Sequence, residues 1–208
     1  MSDQGIWTPN QYACTDTDRV SSENLARLEQ MMRDYRAKHE NAHFTLVGHS
    51  LGGYLAYLEG VRESTRPDQD KLHVDVVVTL HAPLNGVSAD KKLALDAAVA
   101  CPKTYNAAAE IVADKLNPDI AAVRVAQVDA MRAAGIRLAT FGATGDCLYY
   151  LAPCFAGAAI VDDRETQYLR TADLVRRYDV SSKSPISHFA LIAHAAVLID
   201  TVAFVGPP

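Results

Sequence analysis

The sequence predicts an α/β fold, a mostly parallel sheet with flanking helices, and three observations predict it. Short apolar runs alternate along the chain with longer stretches of helical periodicity. The run from His73 to Leu80 is rich in valine at successive positions, as strands buried on both faces of a parallel sheet are. The run from Phe44 to Val47 passes straight into Gly48-His49-Ser50-Leu51-Gly52, the Gly-x-Ser-x-Gly pattern that exposes a serine nucleophile on a strand-to-helix turn.

The elements follow in chain order. Ser21 or Ser22 is placed to cap a first helix with Glu23 in its first turn, and Leu25, Leu28, Met32 and Tyr35 mark its apolar face. Phe44 to Val47 form the strand that feeds the turn, and Tyr54 to Arg62 the helix that leaves it. Glycine is expected at positions 48 and 52 because neighbouring side chains would collide with the strand or the following helix. Arg66-Pro67-Asp68 make a loop, and the valine-rich strand follows. From Ser88 to Asn117 two short helices are separated by Cys101-Pro102 and stopped by Pro118. A helix from Asp119 to Ala134 leads to a strand at Ile136 to Phe141, and a turn then presents Asp146 just past that strand. Leu174 to Val180 are the expected last strand, followed by Ser-Pro-Ile-Ser-His and an apolar helical stretch from Phe189 to Val205.

Composition bounds the function. The 208 residues are 49% hydrophobic and 22% charged, enough for one substantial core, and predict a single domain over residues 1–208. A formal charge of -5 with no basic run argues against nucleic acid or an anionic membrane as the principal partner and favours a neutral or apolar substrate. No transmembrane segment is read, because the longest apolar stretch contains His194 and Asp200. The polar amino terminus lacks the apolar core of a leader, so a soluble protein is expected, cytoplasmic or secreted with its leader removed. Cys14, Cys101, Cys147 and Cys154 lack the paired spacing of a zinc site, and no metal is expected. They read equally as free thiols or, for Cys147 and Cys154, as a staple across one loop.

The motif Gly-His-Ser-Leu-Gly-Gly at residues 48–53, in its strand and helix context, resembles the nucleophile elbow of the α/β-hydrolase superfamily, and within it the lipase-like serine esterases. The resemblance covers about residues 22–205 and implies a reduced α/β-hydrolase fold with a short helical cap or lid inserted at residues 88–117. It also implies a triad in the chain order serine, acid, histidine. Ser50 is then the nucleophile, Asp146 the acid and His188 the base. Asp146 also reads as an ordinary turn residue, Asp162 and Asp163 are alternative acids, and His194 is the alternative base, placed inside the expected helix. The Leu51 N–H would supply one oxyanion donor. His49, together with Pro83 and Leu84 in a loop similar to the family's Pro-Leu-x-Gly loop, would border the acyl pocket. The implied reaction is hydrolysis of a small-molecule or lipid carboxylic ester through an acyl-enzyme, with no cofactor. An acyltransferase or thioesterase would use the same triad, and a non-catalytic interaction protein would keep the turn as architecture only.

The chain departs from the family before the turn. Only 20 residues precede Ser21, with no His-Gly loop to give a second oxyanion donor and at most one short strand around Gly5-Ile6-Trp7. The strand at Phe44 is therefore expected to have a bare edge, covered by fold-back of the amino-terminal segment or by a second copy or another chain, unless an amino-terminal portion is missing.

Overall fold

The computed structural model describes residues 19–88, 106–144, 167–179 and 190–207. Among these, helices and strands follow in the order α1 (Ser21–Arg36), β1 (Phe44–His49), α2 (Leu51–Thr65), β2 (Val74–Leu80), α3 (Asn106–Leu116), α4 (Ile120–Ala133), β3 (Arg137–Thr144), β4 (Leu174–Asp179) and α5 (Ala195–Val205). The four strands form one sheet in the order β1-β2-β3-β4, and every pairing is parallel. The arrangement is α/β with a parallel sheet, as the sequence predicts.

Burial explains why β2 reads as an unbroken apolar run. Val77 faces a core shared with Tyr57 of α2, Val128 and Met131 of α4, and Leu72 and Leu138. Val76, Val78 and Leu80 face a second core with Phe141, Tyr178, Leu191 and Val197, closed by α5. Helices thus cover both faces, and only Asp75 of β2 is exposed. Asp75 lies where the β1–β2 register shifts between Phe44 and Thr45, and its carboxylate meets His43 Nδ1 at 2.7 Å. Among the described residues β1 is an edge strand, with Val47 about half exposed.

Two helix starts differ from the sequence expectation. Neither Ser21 nor Ser22 caps α1. Val20 holds that position, and the Ser21 N–H donates instead to the Glu110 carboxylate of α3 at 3.1 Å. His194, expected inside the last helix, stands at its amino-terminal cap, where a short 3-10 turn (Leu191–Ala193) breaks the apolar stretch. Of the expected cap interval, residues 89–105 lie outside the described residues. In its second helix Ile111 is buried, whereas Leu116 is 74% exposed.

The carboxyl end of α2 is fixed by an ion network. Arg66 binds Glu63, Glu59 (3.1 Å) and Glu29 (2.7 Å), and Arg62 binds Glu29 at 2.6 Å. Glu63 also accepts the Leu72 N–H (2.9 Å) and His73 N–H (2.8 Å), holding the entry to β2 where His73 takes φ 62. A buried carboxylate with this many donors offsets its own desolvation.

Candidate active site

Parallel strands deliver their carboxyl ends to one edge of the sheet, and the Ser50 turn forms there, between β1 and α2. Ser50 takes φ 55 and ψ -126, a conformation costly for a residue with a Cβ. The turn is held by backbone hydrogen bonds. The Ser50 N–H donates to Leu80 O at 2.8 Å, and Ser50 O accepts from Gly53 and Tyr54 at 3.0 and 3.1 Å. One strand over, His81 repeats the pattern, with φ 50 and its N–H on Phe141 O at 2.9 Å. The ends of β1 and β2 are thus each tied to a carbonyl of the next strand.

Glycine is required at this turn, although not at both positions expected. A Cβ on Gly48 would lie 2.2 Å from Gly52 O, so Gly48 is needed as the sequence suggests. A Cβ on Gly52 would meet nothing within 4 Å; the second close approach is Gly53, whose Cβ would fall 2.7 Å from Gly48 O and 2.8 Å from Ala82 Cβ. The signal for it was present in the sequence as the second glycine of Gly52-Gly53.

Ser50 occupies the N-cap position of α2, yet its side chain makes no capping hydrogen bond. A serine there ordinarily spends its hydroxyl on the N–H of the second or third helical residue. Here the Ser50 hydroxyl makes no such bond. The Leu51 N–H opens the helix, where amides lack intrahelical acceptors and the positive end of the helix dipole favours developing negative charge. No acidic residue stands in the first turn to offset that field.

The other expected residues fall as follows. His49 ends β1 with its ring 6.2 Å from that of fully buried His81. Pro83 is buried, and Leu84 packs wholly into the core around Tyr57 and Val128. Asp146, His188, Asp162, Asp163 and the four cysteines lie outside the described residues. His194 caps α5 with its ring 5.8 Å from Tyr178, and its buried Nδ1 has no hydrogen-bond partner.

Beneath the turn lies a network that sequence reasoning missed. The Tyr54 hydroxyl donates to Asp114 at 2.7 Å and the Tyr57 hydroxyl to Gln127 at 2.8 Å. Buried Arg124 binds Asp114, Gln127 and, through Nε, the Leu84 carbonyl at 2.7 Å, with its guanidinium over both tyrosine rings. Burial raises both phenol pKa values, and Asp114 adds to the shift at Tyr54, so both hydroxyls stay protonated as donors. The only trace in the sequence was the i, i+3 spacing of the tyrosines; the partners come from distant helices.

No family model matches the chain, and no curated protein does. Among solved structures it is similar to phospholipase PlaB from Legionella pneumophila in complex with thio-NAD, at 14% identity and TM-score 0.46 over 69% of this chain and 30% of the phospholipase. A second structure of that phospholipase matches at 15% identity and TM-score 0.44 over 67% of this chain and 30% of the other. A carboxylesterase structure from the ammonia-oxidizing thaumarchaeon Nitrososphaera gargenis matches at 13% identity and TM-score 0.47, over 87% of this chain and 72% of the other. The chain thus spans less than a third of the phospholipase's length.

Proposed function

We propose that the chain is a serine hydrolase of carboxylic esters, with Ser50 as nucleophile, Asp146 as acid and His188 as base. The observation that carries the reading is Ser50 itself: a non-glycine residue at φ 55, at a helix start, whose hydroxyl is not spent on capping. Chain order supports the rest. Asp146 follows the end of β3 by two residues and His188 follows the end of β4, and both strands run parallel to β1 towards the edge that carries Ser50.

In this mechanism His188 takes the Ser50 proton as Oγ attacks the ester carbonyl, and the Leu51 N–H receives the developing oxyanion. The histidine returns the proton to the departing alcohol, which leaves the acyl group on Ser50. Water, deprotonated by the same histidine, then releases the acid and regenerates the serine. Asp146 holds the imidazole tautomer and stabilises its cation.

His194 is the competing base, favoured by its position at the start of α5 and by its buried Nδ1. Turnover of a nitrophenyl ester by the Ser50→Ala, His188→Ala and His194→Ala variants tests the assignment. The expected result is loss of activity by about 10⁴-fold or more in the first two, with His194→Ala close to the parent. Loss in His194→Ala with His188→Ala intact reassigns the base. Parent-like turnover in Ser50→Ala overturns the reading.

A further inference from the structure

We propose that the groove between the start of α4 and the segment leading into β4 binds an anionic group of the carboxylate or phosphate type, held by Lys115 and Arg170. The groove has a volume of about 390 Å³, within the range of small-molecule sites. Its lining draws on the loop after β2, on the end of α3, on the first turns of α4 and on residues 168–171, so it exists only in the folded chain.

Charge makes the case for an anion. Among the described residues that line it, Lys115, Arg124 and Arg170 are cationic and none is acidic. The whole chain has the opposite balance, with 25 acidic residues against 20 basic ones. Arg124 does not contribute the surplus, because Asp114 pairs its charge while Gln127 and the Leu84 carbonyl engage its other two nitrogens. It is a fixed part of the floor. Lys115 and Arg170 are exposed, and neither has an ion-pair partner among the described residues. Both cations line one groove, and an anion held there would gain charge-assisted hydrogen bonds from them.

The frame is already built. Asn85 Nδ2 donates to Tyr168 O at 3.1 Å and joins the two walls, while Ile120 and Val125 supply an apolar side against which a small organic body can rest. The site is separate from the proposed ester chemistry and does not depend on it. Its link to the Ser50 turn is structural, through Arg124, Asp114 and Tyr54.

Inorganic phosphate is titrated against the protein, with chloride holding ionic strength constant, and binding is followed by calorimetry and by the thermal midpoint. Parent protein and Ser50→Ala are expected to bind alike. Lys115→Gln/Arg170→Gln, with its fold checked by circular dichroism, is expected to lose affinity by about tenfold or more. Sedimentation with phosphatidylcholine vesicles, with and without added phosphatidylglycerol, separates the sources. Vesicle binding that needs both the anionic lipid and the two cations assigns a lipid headgroup, and phosphate binding without vesicle binding assigns a soluble anion. If the double variant matches the parent in both assays, or neither probe binds, the proposal is overturned.

Discussion

At its amino end α2 starts from a serine at φ 55 whose hydroxyl caps nothing, and its first turn packs on Gly48 with no room there for a methyl group. At its carboxyl end the same helix places Glu59, Glu63 and Arg66 in a network that also anchors the backbone at Leu72 and His73. One end holds strain, of the order of 1–3 kcal/mol for such a conformation, and the other holds many satisfied hydrogen bonds. A strained turn persists only where its surroundings over-determine it. Here the helix that leaves the turn is clamped at the far end, and the strand that enters it is tied to Leu80.

Substitutions at the two ends separate anchoring from strain. The largest effect on stability is expected at the anchored end. Glu63→Ala removes the acceptor for the buried Leu72 N–H, the half-buried His73 N–H and a partner of Arg66, and should cost about 3–5 kcal/mol in urea unfolding. Gly48→Ala, at the strained end, forces a Cβ against Gly52 O and should cost about 1–3 kcal/mol with loss of the turn's geometry.

Acidity gives a third, smaller test. Burial pushes the Glu59 carboxyl up to about 7, opposed by the Arg66 charge and reinforced by Glu29. Its folded pKa lies above its unfolded one, so its contribution to stability is complete below the ordinary glutamate range and is lost as pH rises through about 7. The thermal midpoint should therefore rise as pH is lowered from about 8 towards 5. Glu59→Gln should flatten that slope, and an unchanged slope would assign the dependence to another group.

The smallest effect is expected at Gly52→Ala, where a Cβ meets nothing. Replacing glycine near a helix start should shift stability by only about 0.5–1 kcal/mol, in the stabilising direction.

What the sequence made legible were the features set by local pattern. The valine run became β2, the alternation of runs and helical stretches became a parallel sheet, and Leu174–Asp179 lies where the last strand was expected. What it hid depends on partners far along the chain. Ser21 reads as a cap, but its N–H meets Glu110, 89 residues away. Gly53 rather than Gly52 is the close-contact glycine because the helix turns that position towards Ala82. Lys115 and Arg170 read as scattered surface charge until the fold brings them to one groove. Of the expected triad, only Ser50 falls within the described residues, so the site was legible as a turn and a chain order rather than as an assembled constellation.

The most direct measurement of the central claim is mass spectrometry of the intact protein after exposure to a fluorophosphonate probe. The account predicts one covalent adduct on Ser50, absent in Ser50→Ala and strongly slowed in His188→Ala. Folded protein that remains unlabelled, or is labelled at another serine, would contradict it.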